Sequence, residues 1–310
     1  LRLDTYLMSK VAPLLAITSV QIAIMMGLTV PEPVLPVQFS RGCYYKDCAF
    51  CALTLDHQNF RQRDPGKTVD DLVWLKERYG AQSFFFTDEC FALSPTKRLC
   101  QQMIDRQVNV KWTCELRFEK NLTRELLGQM RDAGCLKIVF GLESFNQRVM
   151  DFMKKGIKQE SVRRIVDDCV DLGIAVHCYV IVGFPTEKEE EALDTMNFVV
   201  GNKKLHESYG FSCQPCLFDL EKEAPIMSDP GSYGIRRIMR PATEDLSLGF
   251  FYEVQEGMTP AQAEQLYQQV YEKISEVVCE LPFNYSMADG LLYIARAKSQ
   301  ALQVPQPTGS

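Results

Sequence analysis

Histidine is scarce in this chain of 310 residues: there are three, His57, His177 and His206, far apart in sequence. An excess of positive charge is also missing, since 34 lysines and arginines meet 40 acidic residues for a net charge of −6. That excludes a nucleic-acid grip spread over the whole surface and leaves only a local basic channel open. Between Lys10 and Glu32 there is no charge of either sign, and the run Val11–Ile17 and Ile22–Met26 is nearly long enough to span a bilayer. Pro13, Thr18, Ser19 and Gln21 interrupt it. The expectation is a helix packed on the domain, rather than a membrane span or a signal peptide. Leu1 stands where an initiator Met would, so an upstream continuation stays open. No internal repeat of useful strength is present.

Cysteine, by contrast, is plentiful, at 12 residues. Several, such as Cys135, Cys169 and Cys178, fall in patterned segments where a small core residue fits. They read as buried thiols in a reducing cytoplasm rather than a disulfide framework. Three are different. Cys43, Cys48 and Cys51 share one short loop, Arg41-Gly42-Cys43-Tyr44-Tyr45-Lys46-Asp47-Cys48-Ala49-Phe50-Cys51, directly after the strand-like Pro36–Ser40. This C-x4-C-x2-C spacing brings three soft ligands within reach of one small metal object at a strand end, where active-site loops usually lie. A zinc ion usually takes four ligands, and the nearest further candidates are His57 and Cys90. A four-iron cubane on three cysteines leaves one iron open. The favoured reading is a cluster, with zinc and unrelated thiols as the alternatives.

From residue 36 to about 220, β-rich runs alternate with helix-period segments, the pattern of βα units around a parallel sheet. Strands are expected at Val37–Ser40, Ser83–Thr87, Lys111–Glu115, Lys137–Phe140, Val176–Val182 and Tyr209–Cys213. Helices are expected near 68–79, 95–107, 122–133, 158–172 and 187–200. Thr68, Ser94-Pro95 and Thr123 supply start signals, and Gly134 and Gly173 supply stops. Six units make a three-quarter barrel or an open doubly wound sheet. The segment 221–232 reads as a loop, and Thr259-Pro260 opens a helix with Leu266, Val270, Ile274 and Val277-Val278 as its apolar face. The expected division is an N-terminal apolar segment over 1–34, a core over 35–240 and a small, mainly helical appendage over 241–310 ending in a disordered tail.

Right-handed crossovers put every strand's C-terminal end on one rim. That rim carries Phe86-Thr87-Asp88-Glu89, Glu115 with Arg117, Gly141-Leu142-Glu143-Ser144 and Gly183-Phe184-Pro185-Thr186-Glu187. These groups suit the amine, hydroxyls and carboxylate of a nucleoside-linked amino acid, the last needing a cation such as Arg117 or Arg148. Gly183 and Pro185 would let backbone approach a flat base. Each also has a plain alternative: Asp88, Glu89 and Glu187 as helix-start charges, Glu143 as a structural bridge, Gly183–Pro185 as a turn. Cys213-Gln-Pro-Cys216 reads as structural thiols, and His177 as a satisfied barrel histidine.

Over about residues 35–240 these motifs resemble the radical S-adenosylmethionine (SAM) superfamily: the cysteine loop, Phe86–Glu89, Cys114-Glu-Leu-Arg117, Phe140–Ser144 with Met153-Lys-Lys-Gly156, and Gly183–Pro185. The chain is most similar to the cobalamin-associated branch, which includes peptide-maturation enzymes and C-methyltransferases. Ser228–Gly234, Gln255–Pro260 and Leu291–Tyr293 resemble that branch too. The commonest loop of the superfamily is C-x3-C-x2-C, so this one has an extra residue. The cobalamin signature Asp-x-His-x-x-Gly is absent from the sequence, which leaves cobalamin open. The resemblance implies an α/β fold, a partial (β/α)6 TIM-like barrel with a small helical C-terminal appendage. It implies a [4Fe-4S] cluster on Cys43, Cys48 and Cys51 that binds SAM and, with one electron from a flavodoxin- or ferredoxin-like donor, cleaves it to a radical. Thr87 and Asp88 would meet the amino end of SAM, Arg117 or Arg148 its carboxylate, Glu143 its ribose, and Tyr45 and Phe50 its adenine, with Glu115, Ser144, Gly183 and Pro185 also lining its site. Phe86, Phe140 and Phe184 would exclude water. The expected function is modification, with methylation favoured, of an unactivated carbon in a peptide or small natural product. A cobalamin-independent oxidoreductase, epimerase or cross-linking enzyme and a non-catalytic cluster-binding scaffold are the alternatives.

Overall fold

Period-2 runs bounded by glycine and polar turns become the strands of one parallel sheet, and the helices between them have local stop and start chemistry. The computed structural model describes residues 34–53, 59–202, 204, 211–240 and 249–277. The charge-free N-terminal run, His57, His206 and the tail lie outside the described residues. The sheet strands are β1 (Val34–Val37), β4 (Ser83–Phe86), β5 (Lys111–Leu116), β6 (Cys135–Glu143), β7 (Ala175–Val182) and β8 (Phe211–Leu217). A short hairpin of β2 (Ser40–Arg41) and β3 (Arg61–Gln62) follows β1. The helices are α1 (Pro65–Tyr79), α2 (Leu93–Asp105), α3 (Arg124–Asp132), α4 (Gln147–Phe152), α5 (Gln159–Asp171), α6 (Glu189–Gly201) and α7 (Pro260–Val277). Among the described residues no helix is long and apolar enough to cross a membrane.

Capping explains most helix ends. Thr123 accepts from the Leu126 N–H at 3.3 Å and starts α3 as expected. Helix α1 starts earlier than the expected Thr68, because Asp64 accepts from Lys67 N–H at 3.1 Å and Pro65 presets the first turn. Helix α2 departs from expectation: Ser94 lies inside its first turn, and Ala92 precedes it without a side-chain cap. Gly134 (φ +98°) and Gly173 (φ +70°) occupy the left-handed positions after α3 and α5.

The six strands run parallel in the order β1-β4-β5-β6-β7-β8. A doubly wound sheet reverses its order at a switch point. Here the order is sequential, so right-handed crossovers place successive helices on one face. This is the winding of a partial barrel, and among the described residues these helices leave the other, inner face uncovered. Core residues alternate accordingly: Trp112, Cys114 and Leu116 of β5, Ile138, Phe140 and Leu142 of β6, and Val176, Cys178, Val180 and Val182 of β7 are buried in one cluster. The residues between them (Thr113 and Glu115, Lys137, His177 and Tyr179, then Ser212, Gln214 and Cys216 of β8) belong to the opposite face. Phe86 and Phe140 are thus core residues instead of rim residues, Phe86 meeting Phe91 and Trp112 edge-on at 5.0 and 5.6 Å.

Beyond β8 the chain forms a three-stranded antiparallel sheet, β10-β11-β9, from β9 (Leu220–Glu221), β10 (Ile235–Met239) and β11 (Gly249–Val254). The segment read as a loop includes 3-10 turns at Pro225–Ser228 and Pro230–Tyr233. The expected boundary near 240 falls inside this sheet, because β10 and β11 pair across it. A second apolar cluster joins the sheet to the cysteine loop: Ala49, Met153, Phe184, Phe218, Leu220, Ile226, Tyr233 and Tyr252. Helix α7 buries Leu266, Val270 and Ile274, as expected, and packs on α6 and β8. It therefore belongs to the helix layer of the barrel.

Candidate functional site: the cysteine loop and its rim

The loop is fastened from below by the acids at the end of β4. Asp88, 1% exposed, accepts from the Phe39 N–H at 3.0 Å, from the Ser40 hydroxyl at 2.6 Å and from the Ser40 N–H. Burial pushes its carboxyl up to about 6 despite those donors. Glu89 accepts from the Gly42 N–H at 3.0 Å. Thr87 is exposed and its N–H donates to Val37 O at 2.9 Å. From above, the Ala49 N–H donates to Met153 O at 2.9 Å and the Ile226 N–H to Ala49 O at 2.8 Å. Both sides of the loop are pinned by backbone.

Two cations meet the thiols. Arg117, 5% exposed at the end of β5, donates to Cys48 Sγ at 3.7 Å, donates to Lys155 O, and lies 3.4 Å over the ring of Tyr45. Its Nε is 3.5 Å from Glu119, which also accepts from the Tyr44 hydroxyl. Lys155 donates to Glu143 at 2.7 Å, with both side chains about nine-tenths buried at 8% and 10% exposure. Burial lowers Lys155, but Glu143 and the Cys48 thiol outweigh it and leave the ammonium above its ordinary value. Gly156 (φ +69°) is required here, since a Cβ would collide with the Tyr45 hydroxyl, which donates to Lys154 O at 2.9 Å.

The three thiols differ. A hydrogen bond from Cys90, opposed by burial and helped by the Tyr45 and Lys46 N–H groups and the Arg117 charge, brings Cys43 down to about 5. Burial pushes Cys51 up to about 11 and raises Cys48, the latter against Lys155 and Arg117. Cys51 feels the charges of both Cys48 and Cys43. Three soft donors flanked by two cations that offset thiolate charge fit a thiolate-bound cluster by donor chemistry. Among the described residues no group of three His, Cys, Asp or Glu side chains is gathered as a site for a metal ion.

Around this loop the structure gathers only some of the expected residues. Glu143 sits at a bulge in β6 with a left-handed backbone (φ +62°), a rare conformation for a residue with a side chain. Glu115 is half-buried, and burial, then the Glu143 and Glu89 charges, push it up to about 7. Arg148 is elsewhere: its guanidinium forks onto Glu191 at 2.5 Å and donates to Thr186 at 3.1 and 2.9 Å. Ser144 is buried at 3.3 Å from the Thr195 hydroxyl and accepts from the Asn146 N–H at 3.1 Å. Gly183 (φ +86°) donates to Glu187 at 2.7 Å, accepts from the Tyr252 hydroxyl at 3.4 Å, and faces Ala263 of α7. Pro185 is buried beside it, and Phe184 packs against Phe218 at 5.2 Å. Tyr45 is engaged by Arg117, and Phe50 lies 5.6 Å from the Lys155 ammonium. Lys155, Tyr44 and Glu119 escaped the sequence reading, and Cys90 entered it only as a candidate fourth ligand. Only Lys155 carried a signal, its place in Met153-Lys-Lys-Gly156. Cys213 and Cys216 occupy opposite sheet faces, the first buried and the second exposed, because three residues along a strand reverse direction.

Comparison with known proteins settles what this loop belongs to. The description "Radical SAM superfamily" matches residues 37–199. The chain belongs to the radical SAM superfamily. This radical SAM chain is 28% identical over 176 residues to "Uncharacterized methyltransferase PH0819" of Pyrococcus horikoshii, covering 56% of this chain and 37% of that protein. It is 30% identical over 160 residues to the anaerobic magnesium-protoporphyrin IX monomethyl ester cyclase of Rubrivivax gelatinosus, covering 51% and 29% respectively. The chain thus spans well under half the length of these curated relatives. Among solved structures, the radical SAM methyltransferase TsrM from Kitasatospora setae, with cobalamin and a [4Fe-4S] cluster bound, aligns with a TM-score of 0.58 at 15% identity, over 88% of this chain and 61% of that one. The cobalamin-dependent SAM radical enzyme OxsB aligns with a TM-score of 0.61 at 16% identity, over 87% and 46%. At such identity the likeness establishes the fold. Membership of the superfamily implies a [4Fe-4S] cluster and SAM.

Proposed function

We propose that this chain is the catalytic barrel of a radical SAM enzyme that modifies, in the favoured case methylates, an unactivated carbon of a peptide or small natural product. The observation that carries the reading is the cysteine loop itself: three thiols on one segment, pinned by backbone on both sides and flanked by the buried cations Arg117 and Lys155. In this reading Cys43, Cys48 and Cys51 hold the cluster. When bound, cluster and SAM supply the radical, given one electron from a flavodoxin- or ferredoxin-like donor.

The chain's own residues bind and orient. Arg117 and Lys155 lower the cost of three thiolates in a half-buried loop. Glu115, Glu143 and Arg117 offer acceptors and a cation to the polar groups of SAM, Thr87 contributes from the exposed end of β4, and Asp88 holds the base of the loop in place. Ser144, Arg148, Gly183 and Pro185 shape the next stretch of rim through α6 and α7. The relatives named as methyltransferases support methyl transfer, and the cobalamin bound in the TsrM and OxsB structures makes cobalamin the co-reactant to test. A cytoplasmic setting suits exposed cluster chemistry.

The test is anaerobic reconstitution with iron and sulfide, then product analysis with SAM and dithionite, with and without cobalamin. The expected products are 5'-deoxyadenosine or S-adenosylhomocysteine, and Cys48→Ala should abolish both the brown chromophore and SAM cleavage. Absence of both products from the reconstituted chain overturns the reading, as does turnover retained by Cys48→Ala.

A further inference from the structure

Deep on the inner face, towards the N-terminal ends of the strands, side chains from three consecutive strands meet. Ser212 of β8 lies in register with His177 of β7, and His177 with Val139, two residues along β6 from Lys137. Lys137 Nζ donates to Ser212 Oγ at 3.3 Å, and Ser212 Oγ is 2.8 Å from His177 Nδ1. All three are half-buried, within a wall otherwise lined by Thr113 and Tyr179.

The protons can be assigned. Burial, followed by the Lys137 charge, holds His177 down to about 3, so its imidazole is neutral. The serine oxygen takes an ammonium hydrogen from Lys137 and gives its own to Nδ1, which puts the imidazole proton on Nε2. The cluster then has two ammonium N–H groups and one imidazole N–H to spare, against a single spare lone pair on Ser212 Oγ. No carboxylate pairs with Lys137 among the described residues, and Ser212 is the one side chain it bonds. Burial alone, with no acid offsetting it, pulls Lys137 down to about 8. A cation held without a counter-charge costs stability, and an apolar residue would be the cheaper strand-filler.

We propose that Lys137, Ser212 and His177 form a carboxylate-binding floor that anchors one end of an elongated substrate, a proposal that rests on the reading above of this chain as the catalytic barrel of a radical SAM enzyme and takes the inner face of that barrel as its substrate chamber. A monoanion matches the single lysine charge. A phosphate dianion would exceed that single charge. Between Lys137 and Glu143 the paired strand β7 advances five residues, from Ala175 to Val180, because the bulge takes up one step of β6; that sets floor and rim roughly 17 Å apart and calls for a substrate of comparable length.

The test needs neither cluster nor SAM, so its failure is separable from failure of the radical SAM reading. The full chain is titrated by calorimetry with sodium octanoate, octyl phosphate and octanol. Octanoate is expected to bind, with octanol weaker by about tenfold or more, a difference of one lost charge-assisted contact, and octyl phosphate weaker because its second charge has no cation to meet. Lys137→Met should abolish octanoate binding while raising the thermal midpoint, and Lys137→Arg should keep binding. Equal binding of octanoate and octanol, no octanoate binding, or binding retained by a folded Lys137→Met variant overturns the proposal. Tighter binding of octyl phosphate overturns the carboxylate assignment.

Discussion

Lys155 and Lys137 are both enclosed lysines, one beside the cysteine loop and the other on the floor of the same sheet face. Lys155 has Glu143 at 2.7 Å and stays charged above its ordinary range, whereas Lys137 has a serine hydroxyl at 3.3 Å and falls to about 8. Beside the cysteine loop, Lys155 thus meets Glu143, and Arg117 meets Glu119 and Cys48, before any ligand arrives. Among the described residues the floor is left short of one negative charge. Pre-paired charge fixes geometry, and unpaired charge asks for a ligand.

The sharpest way to break this contrast is to remove each lysine. Lys155→Met leaves Glu143 buried and unpaired and should cost about 3–5 kcal/mol in urea unfolding, with most of that recovered when Glu143→Leu is added. Lys137→Met should move stability the other way. A destabilisation of similar size at both sites would erase the distinction. Next in size is Asp88→Ala, which orphans the Phe39 and Ser40 N–H groups and the Ser40 hydroxyl. The expected loss is about 2–3 kcal/mol, together with faster proteolysis within the cysteine loop.

Glu187 extends the comparison to a lone acid. It is 1% exposed, has one carboxylate oxygen without a partner, and burial pushes it up to about 8. The folded chain therefore holds this proton to higher pH than the unfolded chain. Its contribution to stability is complete below the usual carboxylate range and is lost as pH rises towards about 8, with a slope of at most about 1.4 kcal/mol per pH unit. Glu187→Gln should flatten that slope in pH-dependent thermal melts, and an unchanged slope would assign it to other groups. The smallest effect is expected at Arg148, whose side chain is 46% exposed. Arg148→Ala should cost about 0.5–1 kcal/mol and leave any cluster chromophore intact. Loss of the chromophore would return Arg148 to the site.

The parts of the site that were legible in sequence are those set by local chemistry. Cys43, Cys48 and Cys51 share one loop because they are close in the chain, and Thr123, Gly134 and Gly173 mark helix ends because capping acts over a few residues. Ser94 was a misleading cap, since a local motif competes with packing that starts α2 two residues earlier. The three-stranded sheet beyond β8 was missed. Its strands are short, β9 having two residues, and pair across a gap, so no period-2 run announces them. Phe86 and Phe140 read as rim residues from their places near strand ends, but the pleat turns them towards the helices.

By itself the sequence determined the α/β class, the six βα units, the cysteine loop and the radical SAM resemblance. All of these rest on contiguous residues and on hydrophobic period. Tertiary structure alone decided that the winding is sequential, and that α7 joins the helix layer. It also decided that Arg117 joins the thiols while Arg148 is held by Glu191, that Lys155 neutralises Glu143, and that Lys137, His177 and Ser212 meet. Partner choice among charged side chains depends on strand register and on which face each pleat presents, and both are set by contacts between residues tens of positions apart.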